Sequence, residues 1–253
     1  MQFSIRLALV IALVATVAAT HAAPVTGQGT WQSELNARDI NGNAVALTDA
    51  SAAFFWDSRT NLTWLANMNA NGIMTWGTAT AWAGALTTGG FTDWRLPTII
   101  DSGTAGCNFS YAGGTDCGYN VQTQVGGAFS EWADLYYTTL GNKAYCPPGD
   151  ATCAGGPQTG WGLTNTAYFR NMQSSYYWSG TEYVSPGSGF AWGFITGYGN
   201  QYGYGVSDGL YAVAVRSGDV LRVDGTVPEP QSLALALTAL AGLGVSLRRR
   251  RAA

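Results

Sequence analysis

The sequence predicts an α+β domain flanked by two apolar ends, and three observations support this fold class. Two stretches carry apolar residues at the 3.6-residue period of a helix, and other apolar stretches are short and rich in aromatic and β-branched residues, as strands are. The strands precede and follow the helices rather than alternating with them, which is the order of α+β folds. Glycine, at 34 residues, is nearly twice as frequent as in average proteins, which favours turns and strands over long helices.

Both predicted helices begin after a residue that can cap a helix and end before glycine. Thr75 can cap the first helix, whose apolar positions lie within 76–86. Ser130 can cap the second, whose apolar positions lie within 132–140. The glycines that follow each stretch are typical stop signals.

The predicted strands lie on both sides of these helices. Residues 53–57 and 62–65 form a hairpin across a four-residue turn, because both runs are apolar and the turn is polar. Residues 197–209, rich in glycine, tyrosine and asparagine, are predicted to form a long connection rather than a strand. The later strands are predicted at 176–181, 190–196 and 210–216.

The charge of the part between the apolar ends argues against nucleic-acid binding. Residues 23–230 contain seven basic side chains and all fifteen acidic ones. Binding to DNA or RNA needs clustered lysine and arginine, so no nucleic acid is expected as a partner. Ten tryptophans and thirteen tyrosines are incompatible with an intrinsically disordered chain.

The N-terminal end has the pattern of a secretory signal peptide, residues 1–22. Arg6 supplies the positive charge, and an apolar run at 7–19 follows it. Small residues at 20 and at Ala22 predict cleavage by signal peptidase after Ala22. An uncleaved anchor is the alternative, but thirteen apolar residues are short of the roughly 20 that span a bilayer.

The C-terminal end, residues 227–253, combines a short motif, an apolar run and an arginine cluster. Pro228, Glu229 and Pro230 precede the apolar run at 233–247, and four arginines follow it at 248–251. Arginines after an apolar segment stay in the cytoplasm, so the rest of the chain would lie outside. A plain tail anchor is one interpretation of this pattern.

This layout also resembles the PEP-CTERM sorting signal of Gram-negative bacteria. The resemblance implies a transient stay in the inner membrane, with 233–247 as the transmembrane segment. It further implies processing by an exosortase, an intramembrane cysteine protease. The protein would then reside at the cell surface or in the extracellular matrix.

Four cysteines in an exported chain predict disulfide bonds. The pairs Cys107–Cys117 and Cys146–Cys153 are favoured among three connectivities, because each encloses a short loop rich in glycine or proline. A zinc site would need histidine or closely spaced cysteine pairs. Since the only histidine is His21, within the signal peptide, neither a metal nor a cofactor is expected.

Four motifs resemble the Lcl C-terminal domain family. They are DSRTNLTW at 57–64, GFTDWRLPT at 90–98, YWSGT at 177–181 and AVR at 214–216. The resemblance implies a C-type-lectin-like fold for residues 23–226, with two helices packed on twisted antiparallel sheets and long loops. It also implies surface adhesion through sulfated or other polysaccharides. Unlike many members, this chain continues after the GFTDWRLPT motif with a cysteine-containing insertion. The insertion is expected to change the surface of the domain next to that motif.

The charged and aromatic residues of these motifs are expected to be structural. Two opposite charges beside a tryptophan in a sparsely charged core usually form a hydrogen-bonded network. The residues expected to form this network are Asp57, Arg59, Asp93, Trp94, Arg95, Trp178 and Arg216.

Ligand binding is expected at surplus aromatic and polar residues in glycine-rich stretches. Aromatic rings can stack on sugars, and polar side chains can bind sugar hydroxyls. The alternative is that these tyrosines only cover the sheet. The chain lacks the tripeptides of calcium-dependent lectins, so calcium is not expected to take part. The candidate residues are Trp161, Glu182, Tyr183, Tyr198, Asn200, Gln201, Tyr202 and Tyr204.

Together these patterns predict an exported, non-catalytic protein of the cell surface or matrix that associates with exopolysaccharide. A core without histidine cannot form a Ser-His-Asp or Cys-His site. A structural matrix protein with protein partners is one alternative. A glycan-active enzyme is another, since Glu131, Asp134 and Glu182 are carboxylates of the type that glycoside hydrolases use.

Overall fold

The computed structural model describes residues 34–101, 111, 113, 116–121, 129–183 and 189–221. The predicted signal peptide and the predicted sorting signal lie outside these residues. No helix within the described ranges is long and apolar enough to cross a membrane.

The described residues form two β-sheets and two helices, which confirms the α+β class. The helices are α1 (Trp76–Gly84) and α2 (Glu131–Ala133), and α2 continues directly as a π-helix (Asp134–Thr139). The strands are β1 (Leu35–Arg38), β2 (Phe54–Asp57), β3 (Leu62–Leu65), β4 (Ile73–Met74), β5 (Gly118–Tyr119), β6 (Tyr176–Glu182), β7 (Phe190–Ile195), β8 (Asn200–Gly205), β9 (Leu210–Tyr211) and β10 (Val215–Ser217).

The first sheet has four antiparallel strands in the order β1-β2-β3-β10. Its centre is the predicted hairpin, in which Phe54 lies opposite Leu65 and Asp57 opposite Leu62. The turn between β2 and β3 contains Asn61 with a φ of 56°, a left-handed conformation that asparagine tolerates. The hairpin prediction is confirmed, whereas β1 was not predicted.

The second sheet has six strands in the order β4-β9-β6-β7-β8-β5. Two predictions are wrong here. Residues 210–216 do not form one strand, because β9 lies in the second sheet and β10 in the first, and the buried residues 212–214 cross between them. Residues 197–209 are not a simple connection, because β8 lies within them and pairs with β7 along six residues.

Both predicted helices are present, but neither is capped by the predicted side chain. Thr75 occupies the cap position of α1, yet its hydroxyl lies 3.0 Å from that of Thr78. The hydroxyl of Ser130 donates to Oε1 of Gln201 in β8 at 2.8 Å, so it connects α2 to the second sheet. α2 and its π-helical continuation are buried along their whole length.

Trp132 in α2 lies at the centre of the core between the two sheets. Its ring centroid lies 5.6 Å from that of Trp64 in the first sheet and 4.9 Å from that of Tyr177 in the second. Its indole Nε1 donates to the carbonyl oxygen of Trp178 at 3.1 Å. One fully buried side chain thus contacts both sheets.

Candidate functional site

Arg95 lies in the GFTDWRLPT motif at 90–98, which we call the hallmark loop, and it forms a two-bond ion pair with Glu131 at the start of α2. The two guanidinium nitrogens lie 2.7 Å from the two carboxylate oxygens. Glu131 is buried and also accepts a hydrogen bond from the backbone N–H of Thr98 at 2.7 Å. The hydrogen bond to Glu131 raises the pKa of Arg95. Arg95 therefore connects the hallmark loop to the buried helix.

Asp93 forms a second two-bond pair, with Arg216 in β10, at 2.8 and 3.1 Å. The hydrogen bond from Arg216 lowers the pKa of Asp93, so this carboxylate stays ionised. The guanidinium carbon of Arg216 lies 4.0 Å from the centroid of the Phe91 ring. This ion pair connects the hallmark loop to β10 of the first sheet.

Arg59 in the hairpin turn pairs with Asp134 of the π-helix. Asp57 is buried, accepts the backbone N–H of Arg59 at 3.0 Å and accepts the hydroxyl of Thr139 at 2.7 Å. Burial raises the pKa of Asp134, although the ion pair with Arg59 opposes this effect. The hairpin turn is thereby attached to the buried helical segment.

Trp94 and Trp178 are both buried, and each donates a hydrogen bond from its indole N–H to a backbone carbonyl within the domain. Trp94 donates to the carbonyl of Thr88 at 3.0 Å, and its ring stacks on Phe54 with centroids 5.5 Å apart. Trp178 donates to the carbonyl of Met74 at 2.7 Å. All seven motif residues expected to be structural thus make contacts that join different parts of the domain.

Two of the predicted ligand residues are buried and do not reach the surface of the domain. Gln201 is fully buried, and its side chain accepts the hydroxyl of Ser130 and donates to the carbonyl of Asp116 at 2.6 Å. Asn200 is 8% exposed. Both begin β8, where the second sheet packs against α2, and tertiary packing rather than local composition covers them.

Tyr202 and Tyr204 lie on one face of the second sheet, since they alternate along β8. Tyr202 is 44% exposed. Tyr204 packs against the core, contrary to the expected exposure, and burial raises its pKa. Its ring lies against Gly193 in β7, where an added Cβ would come within 2.8 Å of the ring.

Tyr183 lies at the end of β6, near a different group of residues. Its ring centroid is 4.8 Å from that of the buried Trp192. A pocket of about 260 Å³ is lined by Tyr183, Phe190, Tyr202 and Gly203. Glu182 is exposed and borders another pocket, beside the start of α1.

The remaining two predicted residues, Trp161 and Tyr198, belong to a connected series of five aromatic rings. We call this series the aromatic strip. Trp161 stacks on Tyr198 with centroids 5.4 Å apart, and both rings contact Tyr145, at 4.8 and 6.0 Å. Tyr145 lies 6.2 Å from Tyr119, which stacks on Tyr111 at 6.0 Å.

The strip is accessible to solvent along its length. Tyr198 and Tyr111 are 46% and 41% exposed, and the other three rings are partly exposed. The sequence interpretation missed Tyr111, Tyr119 and Tyr145. One signal could have found them, because each of these tyrosines lies close to a cysteine of a predicted disulfide loop.

Hydrogen bonds and a disulfide hold the backbone beneath the strip. The backbone N–H of Tyr145 donates to the carbonyl of Tyr198 at 2.8 Å, and the side chain of Gln158 donates to the carbonyl of Ala144 at 2.6 Å. The predicted bond Cys146–Cys153 is confirmed and follows Tyr145 directly. The backbone around Tyr145 and Tyr198 is thus held in place by contacts between distant parts of the chain.

The other predicted disulfide lies partly outside the described residues. Cys117 is buried and disulfide-bonded, but Cys107 is not among the residues that the structure describes. Cys117 directly precedes β5, which carries Tyr119 of the strip.

The carboxylates considered for glycoside hydrolysis are separated by their partners. Glu131 is paired with Arg95, and Asp134 with Arg59, and both carboxylates are buried. Glu182 lies at the end of β6. Within the described part of the chain, no three His, Cys, Asp or Glu side chains are grouped closely enough to hold a metal ion.

The chain matches no family model, and no curated protein or solved structure shows significant similarity to it. The resemblance of its motifs to the Lcl C-terminal domain family is therefore an interpretation of the sequence. The geometry of the aromatic strip is the observation from which a function can be proposed.

Proposed function

We propose that this protein is an exported, non-catalytic protein of the cell surface or extracellular matrix, whose C-type-lectin-like domain binds polysaccharide along the aromatic strip. The observation that carries the proposal is the connected, partly exposed series of five rings from Tyr111 to Trp161. Aromatic rings bind the apolar faces of sugar rings, and tyrosine and tryptophan also carry a polar group at one end of the ring.

The spacing of the strip suits a polymer better than a single sugar. Neighbouring ring centroids are 4.8 to 6.2 Å apart, which is comparable to the length of one pyranose residue in a chain. The angles between neighbouring ring planes range from 18° to 76°, so the strip presents both ring faces and ring edges, and weak contacts with several sugar residues can add together. Because the supporting backbone is already hydrogen-bonded, little conformational entropy is lost on binding.

The rest of the domain supports a binding role through its rigidity. The hallmark ion pairs connect the hairpin turn and the loop before α2 to the buried helical segment. Sites built on rigid elements hold their geometry better than sites on free loops. In this proposal the hallmark residues therefore stabilise the domain, and the aromatic strip binds the ligand.

We expect single substitutions in the strip to weaken polymer binding without unfolding the protein. Trp161→Ala and Tyr198→Ala each remove a partly exposed stacking surface, and each should reduce retention on the host's own exopolysaccharide by about tenfold or more. Retention of the extracellular protein on immobilised polymer, beside its thermal melting curve, measures both properties.

Tyr176→Ala is the matched control, because Tyr176 is 44% exposed but lies outside the strip. Its retention should equal that of the wild type. If Tyr176→Ala or Tyr202→Ala abolishes retention while Trp161→Ala does not, the binding surface is the face of β8 instead. Failure of the wild type to be retained would favour a structural matrix protein, and shortening of the polymer would favour an enzyme.

Export and sorting give a second prediction. Intact-mass analysis of the extracellular form should show a chain that begins at Ala23 and lacks the arginines at 248–251, because signal peptidase and an exosortase would remove both ends. The inner membrane would hold the precursor only transiently. An extracellular form that still carries the arginine cluster would contradict the sorting proposal.

A further inference from the structure

We infer that the polymer bound by the aromatic strip is uncharged, a neutral polysaccharide rather than a sulfated or carboxylated one. This inference rests on the proposed function and names the class of its ligand. It follows from the positions of the charged groups among the described residues and from the ion pairs that these groups already form.

Most of the basic side chains are engaged in ion pairs within the domain. The described residues include six basic side chains and thirteen acidic ones. Four of the six are arginines paired with carboxylates, so a carboxylate of the domain already balances the charge of each of these guanidinium groups. The pairs are Arg38–Asp219, Arg59–Asp134, Arg95–Glu131 and Arg216–Asp93.

The two other basic residues do not form a cluster along the strip. Lys143 is exposed, and its backbone carbonyl accepts the N–H of Gly162, beside Trp161. Arg170 is bonded through its backbone to Ala66, directly after β3 of the first sheet. A single lysine supplies little of the binding free energy that clustered cations give to polyanion binding.

One partly exposed carboxylate lies in the disulfide loop that directly follows Tyr145 of the strip. Asp150 lies within the Cys146–Cys153 loop, and it accepts the backbone N–H groups of Gly155 at 2.7 Å and Thr152 at 3.0 Å. These hydrogen bonds lower its pKa, so it remains charged at neutral pH. An anionic polymer lying on Tyr145 would approach this fixed negative charge, whereas a neutral polymer would not be affected by it.

Stacking needs no charge on the ligand. The rings of the strip offer apolar faces and neutral hydrogen-bonding groups, which match the faces and hydroxyls of an unmodified sugar. The complementarity of the strip is therefore that of an uncharged polymer. The strip also has a low local density of basic groups, which disfavours competing polyanions.

Matched pairs of polymers test this inference on the extracellular protein. Dextran and dextran sulfate share one backbone, as do hydroxyethylcellulose and carboxymethylcellulose. We expect retention on at least one uncharged polymer to exceed that on its charged partner by about tenfold, and to change less than about twofold between low and high salt. Trp161→Ala should remove this retention, whereas Lys143→Gln should leave it unchanged.

Each other outcome has a distinct meaning. Retention confined to the charged polymers, with a steep loss as salt rises, would overturn the inference and leave the proposed polysaccharide binding in place. Loss of retention in Lys143→Gln would overturn it as well. Absence of retention on all four polymers and on the host's exopolysaccharide would overturn both the inference and the proposed function.

Discussion

Replacing Trp132 by alanine should lower the free energy of unfolding by about 3–5 kcal/mol, the usual cost of removing a fully buried aromatic side chain. Trp132 contacts Trp64 in one sheet and Tyr177 and Phe194 in the other. The substitution would leave a cavity between the sheets and would also leave the carbonyl of Trp178 without the indole N–H. Equilibrium unfolding in urea measures the change.

Trp161→Ala is the control for this experiment, since it removes the same side chain from a partly exposed position. It should change the free energy of unfolding by less than about 1 kcal/mol, because surface substitutions have small effects. Trp132→Phe should recover part of the lost stability by filling some of the cavity. Equal unfolding midpoints for Trp132→Ala and the wild type would show that the sheets do not depend on this contact.

Arg95→Ala should lower the free energy of unfolding by about 2–3 kcal/mol, below the range for a fully buried ion pair because the Arg95 side chain is 36% exposed. The reason is that Glu131 is 5% exposed and would keep a buried negative charge without its cation. Thermal melting and polymer retention should be measured on the same variant. We expect lower stability, with retention preserved wherever the protein remains folded.

Two further variants separate the ion pair from general effects. Arg170→Ala removes an exposed arginine side chain and should leave the melting temperature almost unchanged. Adding Glu131→Gln to Arg95→Ala removes the stranded charge and should restore part of the stability. If Arg95→Ala melts like the wild type yet loses polymer binding, the hallmark is a ligand site and its role as scaffold is wrong.

Local patterns were sufficient for the elements that depend on local interactions. The hairpin of β2 and β3 could be predicted because two apolar runs flank a polar turn. The first helix could be predicted from its period, although it ends at Gly84, before the glycines at 89 and 90 that were expected to stop it. In both cases, the residues that determine the element lie next to one another in the chain.

The second sheet could not be predicted in the same way. The sequence of β8 looks like that of a loop because its glycine at 203 alternates with tyrosines. That glycine is instead required by the packing of a distant side chain. An added Cβ there would come within 2.9 Å of the Tyr183 ring. Residues 210–216 have the alternation of one strand, and no local signal shows that the chain changes sheets between β9 and β10.

The candidate site was predicted in part for the same reason. Trp161 and Tyr198 were identified as surplus aromatics in polar, glycine-rich stretches, and the structure brings them together. Gln201 has the same local surroundings but is buried by α2 through Ser130. Composition alone does not distinguish an exposed residue from one that a distant element covers.

The Arg38–Asp219 ion pair also determines how the domain responds to pulling. In a protein held at the cell surface through its C-terminal end, tension on a bound polymer would reach the domain beside Asp219. Before β10 can peel from β3, that tension must break the pair with Arg38 and the hydrogen bond from Gly218 to the carbonyl of Asn61. These contacts would resist the tension at this end of the domain and pass it to β1, which belongs to the same sheet. The last described strand of the domain is therefore held at the end where a tethered protein would first be loaded.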